Sequence, residues 1–395
     1  MRIKAIALVL LLALGGGAKA QNPSYLAWAD TLAALTGFTV QGGNTLTYTK
    51  NGEEFLSSLL EDIAQARESI NLEFYWFATD KVGRQVRDAL IRKAREGVKV
   101  RVLLDNMVTP SAPKLFYDKM VQAGGEVRYA NDFERLNFGK SFSNVFCFRD
   151  HRKIAVIDHC ITYTGGINFC APAIHDWDDL EFRVVGPVAV EMERLFAREW
   201  ERTGGTPFLI PEAGAGEGSL LMQVIPGNAS AQIADIYANV VRHAREYIYI
   251  QTPYYVPPPQ LQEAILDAGR RGVDVRIVLA KSDHDFMDEA ARDYYAGLVE
   301  AGVRLSRRQD KFDHAKTFVA DGEILSCGTQ NLDKRSFFLN LENSLFVYDP
   351  ALAEEFTALF LDIEAISTPM SAADGEARGL RKLWRGFLRL ISPLL

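Results

Sequence analysis

Two histidine–lysine pairs occur in this sequence with the same spacing. His151 and Lys153 are two residues apart, and so are His314 and Lys316. Residues two apart in a strand share one face, so each histidine is expected to point the same way as its lysine. An imidazole can attack phosphorus or donate a proton, and an ammonium group can stabilise charge on phosphoryl oxygens. The two pairs therefore suit cleavage of a phosphodiester with a covalent step.

Each pair begins a longer pattern that is present twice. An aspartate follows each lysine after four intervening residues, and a glycine turn ending in asparagine follows each aspartate. The residues concerned are Asp158 and Asp321, Asn168 and Asn331, and, in the second copy alone, Thr329. A single H-x-K pair arises often by chance, whereas two long copies do not. A glycine turn lets the main chain approach a bound phosphate closely, and asparagine amides can hold its oxygens.

The two copies belong to an internal repeat that spans most of the chain. Four pairs of similar segments occur in the same order: 67–80 and 245–257, 89–105 and 264–280, 120–129 and 298–305, 150–158 and 313–321. In each half, short apolar runs alternate with stretches of helical periodicity. Such alternation implies βαβ units, so we predict an α/β fold of two pseudo-symmetric halves with largely parallel mixed sheets flanked by helices.

Composition limits the classes of partner and cofactor. The chain has 395 residues and a formal net charge of −7, which excludes a global positive field for binding polyanions. No C-x-x-C pair and no metal-ligand cluster is present, so neither a metal nor another cofactor is predicted. The four cysteines are expected to be small buried apolar side chains, although export would permit a disulfide: Cys147, Cys160, Cys170 and Cys327.

The sequence divides into five regions. Residues 1–20 have a basic start, a short apolar run and a small-residue end, the parts of a cleaved secretory signal peptide, with an uncleaved anchor as the alternative. The other predicted regions are a first half at 21–211, a glycine-rich linker at 212–219, a second half at 220–365 and a tail at 366–395. We therefore expect an exported protein, periplasmic or secreted, at the periphery of a membrane.

The tail supplies the reason to expect a membrane. In Arg378–Leu395, the apolar residues Leu380, Trp384, Phe387 and Ile391 recur at helical spacing, and most basic residues fall elsewhere on the wheel. This pattern predicts binding to an anionic membrane surface. The alternative is a helix that packs its apolar face on the protein. Two aromatic clusters, 74–77 and 253–255, are expected to be core, with an acyl-chain entrance as the alternative.

The motifs carry a family resemblance. "HRKIAVID…YTGGIN" and "HAKTFVAD…GTQN" resemble the paired HKD motifs of the phospholipase D superfamily. The wider segments "HDWDDLEFRVVGPVA" and "GTQNLDKRSFFLNLENSLFVYD" resemble its bacterial cardiolipin synthase branch. The resemblance runs from about Phe55 to Asp362. It implies a phospholipase D-like fold and a phosphatidyltransferase that acts on phosphatidylglycerol-like phosphodiesters. One departure is the signal peptide, which stands where such synthases often have two transmembrane helices.

The resemblance also implies residue roles. His151 would be the nucleophile and His314 the general acid and then the base, although the two halves could exchange these roles. The implied phosphate-binding residues are Lys153, Lys316, Asn168, Asn331 and Thr329. Glu342 matches a carboxylate that orients a histidine, and Asp179 has the comparable place in the first half. Asp158 and Asp321 are expected to hold loops.

Two lipid activities remain open at this point. Transfer to an alcohol would give a cardiolipin-like lipid, and transfer to water would make the protein a secreted phospholipase D that releases phosphatidic acid. A catalytically silent lipid-binding protein is disfavoured by the intact double motif. A nuclease is disfavoured because short nuclease relatives carry one motif per chain and this chain is acidic. Both motifs lie in one chain, so a monomer is expected to hold a complete site.

Overall fold

The structure is a computed structural model that describes residues 24–106, 114–131, 148–227, 232–281, 285–376 and 380–391. The predicted signal peptide at 1–20 and Cys147 lie outside these residues. Of the predicted membrane-binding tail, the described part is the helix from Leu380 to Ile391.

Helices and strands alternate in both halves. The helices are α1 (Ser24–Thr36), α2 (Gly52–Gln65), α3 (Lys81–Arg95), α4 (Lys114–Gln122), α5 (Ala171–His175), α6 (Val188–Arg202), α7 (Gln232–His243), α8 (Pro259–Arg270), α9 (Asp285–Glu300), α10 (Lys334–Phe338), α11 (Pro350–Ala365) and α12 (Leu380–Ile391). The strands of the first half are β1 (Gln41–Thr49), β2 (Ser69–Phe74), β3 (Lys99–Asp105), β4 (Glu126–Ala130), β5 (Lys153–Ile157), β6 (Ile161–Gly165) and β7 (Glu181–Val185). Those that follow are β8 (Leu220–Gly227), β9 (Tyr247–Thr252), β10 (Tyr255–Val256), β11 (Asp274–Leu279), β12 (Arg304–Arg307), β13 (Thr317–Ala320), β14 (Ile324–Gly328), β15 (Leu332–Asp333), β16 (Glu342–Tyr348) and β17 (Thr368–Pro369).

Within the described residues, fifteen strands join in one sheet, in the order β17-β12-β11-β9-β13-β14-β16-β8-β1-β7-β6-β5-β2-β3-β4. The two halves meet where β1 pairs with β8 in antiparallel register. On each side of this junction the same strand order extends outward, from β7 to β4 in one half and from β16 to β12 in the other. The predicted α/β class with two related halves is thus confirmed.

The sheet is mixed, and its parallel part is smaller than the alternation of strands and helices suggested. Among the described strands of this sheet, parallel pairing is confined to β2-β3-β4 and β9-β11-β12, which are connected through helices. Strands β10 and β15 form a separate parallel pair. Strands β5 and β6, and likewise β13 and β14, form antiparallel hairpins. The hairpin turns contain Asp158 and Asp321 with φ of 48° and 51°. A tight turn returns the chain beside itself in the opposite direction, whereas a parallel partner needs a long crossover.

One of the buried clusters connects the two halves. It contains Val156 and Phe182 from the first half and Val319 and Leu345 from the second, all nearly inaccessible to solvent. Close packing of this kind fixes the position of one half against the other. The active-site residues described below lie at this junction. Helix α1 lies within the predicted first half at 21–211 but packs on the second half through Leu32.

Several further sequence predictions have structural counterparts. Residues 205–216 form neither helix nor strand, and the domain boundaries themselves stay predictions. In the aromatic clusters, Phe74, Phe77 and Tyr255 are buried core residues, as expected. Cys170 and Cys327 are buried free thiols, but the expectation of burial was wrong for Cys160, which is exposed next to the hairpin turn.

Helix α12 packs on the protein with part of its apolar face, as its alternative interpretation expected, because Leu388 and Ile391 lie against a cluster that contains Val256 and Met287. Its buried residues are Arg385 and Leu388, whereas Leu383, Trp384 and Phe387 are exposed. The Nε atom of Arg385 donates to Glu289 at 2.6 Å, so a buried ion pair holds the helix on α9. Much of the apolar side of the helix therefore faces outward. No helix in the described ranges is both long and apolar enough to cross a membrane.

Candidate active site

The two motif histidines lie just before strands β5 and β13, not within them as their spacing suggested. The main-chain N–H of His151 donates to the carbonyl of Leu341 at 3.0 Å, and that of His314 donates to the carbonyl of Asp178 at 2.7 Å. Each histidine is therefore held by the main chain of the opposite half. The sequence pattern alone would have placed each histidine in a strand of its own half; instead, its main-chain N–H bonds to the other half.

The carboxylates cross between the halves in the same way. Nδ1 of His151 is 2.9 Å from Oε1 of Glu342, and Nδ1 of His314 is 2.8 Å from Oδ2 of Asp179. Both carboxyl groups are buried, which opposes ionisation, but the adjacent histidines and lysines hold their pKa values below the usual range. An ionised carboxylate only accepts, so each Nδ1 carries the hydrogen and each Nε2 has the free lone pair.

Burial also keeps the two imidazoles neutral before a substrate binds. Desolvation is the largest cause of a lowered pKa for both histidines. The pKa of His314 falls to about 3, since the side chain is almost inaccessible to solvent and the charge of Lys316 lies close. A neutral imidazole is the form that can attack phosphorus, and a bound anionic phosphate would favour the protonated form that a general acid needs.

Two buried lysines accompany the histidines. Nζ of Lys153 donates to the carbonyl oxygen of His151 at 2.7 Å, and Nζ of Lys316 donates to that of His314. Burial lowers the pKa of Lys153 to about 7 and that of Lys316 to about 8, and the charge of Lys316 lowers the pKa of Lys153 further. Two cations held near each other out of water form a site that gains stability by binding an anion.

The glycine turn of the first motif leaves room for the orienting carboxylate. A Cβ added at Gly166 would meet both carboxylate oxygens of Asp179 at 2.3 Å. In the second motif, Gly328 has φ of +140°, and a Cβ there would meet the carbonyl oxygen of Asn343 at 2.4 Å. A side chain at Gly166 would collide with the Asp179 carboxylate itself, and one at Gly328 would collide with the main chain of β16, the strand that carries Glu342. The glycines thus serve the packing of these turns as much as access to phosphate.

The predicted phosphate-binding asparagines are buried at the ends of these turns. The Oδ1 atom of Asn168 accepts from the N–H of Trp76 at 3.2 Å, which fixes the amide. The Oδ1 atom of Asn331 has no hydrogen-bond partner among the described residues. Thr329 is wholly buried, and its hydroxyl accepts from the N–H of Asn343 at 3.0 Å. This contact places Thr329 behind Glu342, and its contact with phosphate stays a prediction.

Asp158 and Asp321 lie away from the histidines and hold loops. The Asp158 carboxylate accepts from the main-chain N–H groups of residues 67, 68 and 69 at 2.8–3.0 Å. The Asp321 carboxylate accepts from those of residues 245, 246 and 247 at the same distances. Each aspartate therefore ties the hairpin turn to the start of the neighbouring strand.

Sequence reasoning gave no role to a group of buried charges that support the histidines. Asp150 and Asp313 directly precede His151 and His314. In the second half, Nε2 of Gln251 donates to Asp313 at 2.7 Å. In the first half Arg152 pairs with Asp150 at 3.0 Å and with Glu73 at 2.5 Å. The sequence contained a signal for this role, because Asp150 and Asp313 occupy equivalent positions in the two copies of the repeat.

Aromatic rings beside the histidines were also missed. Tyr75 contacts His151 edge to face with ring centroids 4.8 Å apart. Trp177 and Phe312 contact His314 with centroids 5.1 and 5.6 Å apart. Sequence separation hides the contacts of Tyr75 and Trp177, whereas Phe312 lies only two residues before His314. No group of three or more side chains in the described ranges is placed to hold a metal ion.

The geometry as a whole is that of a two-sided phosphate site. Two imidazoles, each with a carboxylate on Nδ1, accompany one pair of lysines. One Nε2 atom can attack phosphorus while the other protonates the leaving oxygen, as in-line displacement requires. The lysines can stabilise the charge that develops at the phosphoryl oxygens.

Comparison with known proteins agrees with this chemistry. The family described as "Cardiolipin synthase, PLD-like domain" matches residues 59–200 and 237–363. The chain is 32% identical over 371 residues to the major cardiolipin synthase of Bacillus subtilis, covering 89% of this chain and 76% of that protein. It is 33% identical over 367 residues to a cardiolipin synthase of Listeria welshimeri, covering 87% and 74%. Among solved structures, a phosphatidylserine synthase from Haemophilus influenzae superposes with a TM-score of 0.70 at 14% identity, covering 95% of this chain and 100% of that one.

Proposed function

This chain belongs to the cardiolipin synthase family of phospholipase D-like proteins, and from that premise we propose how its residues carry out phosphatidyl transfer. It is a phosphatidyltransferase of the cardiolipin synthase type. We propose phosphatidylglycerol as the donor and the headgroup hydroxyl of a second phosphatidylglycerol as the acceptor. The observation that carries the proposal is the crossed pair of histidine–carboxylate contacts beside two buried lysines.

In the first step, the Nε2 lone pair of His151 attacks phosphorus. The bond between phosphorus and the glycerol headgroup oxygen breaks, and His314 gives that oxygen a proton from its own Nε2. Glycerol leaves, and the phosphatidyl group stays on His151 as a phosphohistidine. Lys153 and Lys316 hold the non-bridging oxygens throughout and stabilise the charge that develops on them.

In the second step, the acceptor hydroxyl approaches on the side of His314. His314, now neutral, takes the hydroxyl proton, the acceptor oxygen attacks phosphorus, and the bond between phosphorus and Nε2 of His151 breaks. Transfer to phosphatidylglycerol yields cardiolipin. Transfer to water would yield phosphatidic acid instead, so the identity of the second-step acceptor decides between synthase and hydrolase.

We further propose that the protein works at the surface of an anionic membrane, with α12 as the contact. The exposed side chains of Trp384 and Phe387 stack on each other with ring centroids 5.4 Å apart, and Arg381 and Lys382 are exposed on the same helix. Apolar burial and attraction to anionic lipid would act together.

Export through the leader at 1–20 and a monomeric state are parts of this proposal. Amino-terminal sequencing and light scattering of the mature protein test them.

Incubation of the purified protein with phosphatidylglycerol vesicles tests the reaction. We expect cardiolipin and free glycerol as products, with isotope-labelled glycerol exchanged into phosphatidylglycerol through the phosphohistidine. Phosphatidic acid as the main product would show that the protein acts as a hydrolase and not as a cardiolipin synthase. No turnover of the lipid under any of these conditions would contradict both activities. The matched control is His151→Ala, which should form neither product.

A further inference from the structure

Arg308 is a buried charged residue that takes no part in the proposed reaction steps. It directly follows β12, and its main-chain N–H donates at 2.9 Å to the carbonyl of Leu279, the last residue of β11. Only 4% of the residue is exposed to solvent. Burial of a guanidinium group is unfavourable unless carboxylates surround it, so the partners of Arg308 indicate its role.

The partners of Arg308 come from both halves of the chain. Its Nη2 donates at 2.8 Å to Oδ2 of Asp178, which lies in the first half. Nε and Nη2 each donate at 2.8 Å to the carboxylate of Asp310, and Nη1 lies 3.8 Å from Oδ2 of Asp313. Lys311 also approaches Asp178, at 3.2 Å, but its side chain is exposed and its charge is screened by water.

Two of these carboxylates are the direct neighbours of the pair formed by His314 and its orienting aspartate. Asp178 precedes Asp179, and Asp313 precedes His314. His314 and Asp179 are in contact at 2.8 Å although 135 positions separate them. Arg308 therefore connects the two segments of main chain that carry the histidine and its carboxylate.

Two main-chain hydrogen bonds accompany the contacts of Arg308. The N–H of Asp178 donates to the carbonyl of Phe312 at 3.0 Å, and the N–H of His314 donates to the carbonyl of Asp178 at 2.7 Å. At the reciprocal junction beside His151, the residue that makes the matching main-chain hydrogen bonds is Leu341, whose side chain has no charge. The ionic connection through this residue thus exists on the His314 side and not on the His151 side.

We propose that Arg308 is a positioning residue for His314, and that it aligns Nε2 of this histidine with the headgroup and acceptor oxygens. The inference rests on the proposed function, because it takes His314 as the general acid of the first step and the base of the second. A residue that acts through His314 matters for the steps in which that histidine gives or takes a proton. It does not matter for attack by His151 on a donor whose leaving group departs without a proton.

Two donors with the same phosphatidyl group separate these steps. The leaving oxygen of phosphatidylglycerol needs a proton, whereas a donor with a p-nitrophenol headgroup releases a nitrophenolate ion that needs none. Arg308→Lys keeps the positive charge and loses the planar fork. We expect this change to lower kcat for transfer from phosphatidylglycerol about tenfold, because a small misplacement of a catalytic group slows a reaction steeply. The burst of nitrophenol should keep its rate constant within about twofold, and turnover after the burst should slow about tenfold, since His314 acts as the base there.

Asp178→Asn supplies a second test, because it removes one carboxylate from Arg308 and keeps the size of the side chain. It should show the same dependence on the donor. The double variant should lose less than the product of the two single losses, since both changes act on one contact. The matched control is Arg304→Met, which changes an exposed arginine four residues earlier and should react with both donors as the wild type does.

A burst of nitrophenol that slows as much as transfer from phosphatidylglycerol, in both variants, would overturn the proposal, because a general defect in folding affects both donors equally. Unchanged transfer from phosphatidylglycerol in both variants would also overturn it. If Arg308→Lys does not fold, the same comparison of donors in Asp178→Asn decides. A wild-type protein that releases nitrophenol but transfers nothing from phosphatidylglycerol would instead contradict the proposed function, and the turnover of the variants after the burst would still test the role of Arg308.

Discussion

The Oε1 atom of Glu342 lies 2.9 Å from Nδ1 of His151, although 191 positions separate the two residues and each belongs to a different half of the chain. The reciprocal contact joins Asp179 of the first half to His314 of the second at 2.8 Å. Each half thus supplies a histidine for one side of the phosphate site and a carboxylate for the histidine of the other half. Neither half alone contains an oriented histidine.

Removal of one orienting charge should slow the reaction without abolishing phosphate binding. We expect Glu342→Gln to lower kcat about 100-fold, since a misplaced imidazole loses its alignment with phosphorus. Glu342 raises the pKa of His151, so its loss should move the acidic limb of the pH–rate profile to lower pH. Glu342→Asp should recover part of the rate. An unchanged pH profile would show that Glu342 acts only in folding.

The identity of the nucleophile can be read from trapped adducts. A donor with a p-nitrophenol headgroup needs no general acid, because its leaving oxygen is already a weak base. With this donor, His314→Ala should release one equivalent of nitrophenol in a burst and carry the phosphatidyl group on His151. His151→Ala should give neither burst nor adduct. An adduct on His314 in that variant, located by mass spectrometry, would reverse the two roles.

Anion binding to the empty site should weaken as the pH rises. The pKa values of Lys153 and Lys316 are lowered to about 7 and about 8, so the protonated forms that attract an anion are lost as the pH passes through these values. We expect the affinity for sulfate, measured by calorimetry from pH 6.5 to 9, to fall about tenfold per pH unit for each proton that must be taken up. Lys316→Met should weaken binding and flatten this dependence. A constant affinity across the range would mean that neither lysine titrates there.

A methyl group added at Gly166 should impair His314 indirectly, by displacing the Asp179 carboxylate that orients it. In Gly166→Ala, the added Cβ would meet the Asp179 carboxylate at 2.3 Å and displace it from His314. We expect a loss of kcat similar to that of Asp179→Asn, and little further loss when the two changes are combined, since both act on one contact. Gly214→Ala, where nothing lies within 4 Å, is the control. Additive losses of kcat would show that the Gly166 turn affects catalysis independently of the contact between Asp179 and His314.

Membrane attachment should depend on the exposed rings of α12. Replacement of Trp384 and Phe387 by glutamate should reduce co-sedimentation with phosphatidylglycerol vesicles at least tenfold, because apolar burial is lost and like charge is added. Leu209→Glu changes an exposed leucine elsewhere and should bind as the wild type does. High salt should weaken wild-type binding through screening. Equal binding of both variants would exclude α12 as the contact.

Much of the active site could be predicted from the sequence, because the residues of each motif lie close together in the chain. The spacing of His151 and Lys153, the glycine turn and Asn168 all lie within one short stretch, and the second copy makes chance an inadequate explanation. The alternation of apolar runs and helical stretches also follows from short-range periodicity. Residue types and spacings of this kind determined the α/β class, the two halves and the histidines.

The tertiary structure decided how these parts meet. The crossed contacts of Glu342 and Asp179, the ion pair of Arg152 with Glu73 and the contact of Trp177 with His314 join residues far apart in the chain, and no local pattern encodes such distances. The docking of α12 through Arg385 and Leu388 left Trp384 and Phe387 exposed, which helical periodicity alone does not predict. The sequence determined which groups are available for phosphoryl transfer. Packing of the two halves around a shared core decided which carboxylate serves which histidine, because that choice depends on long-range contacts.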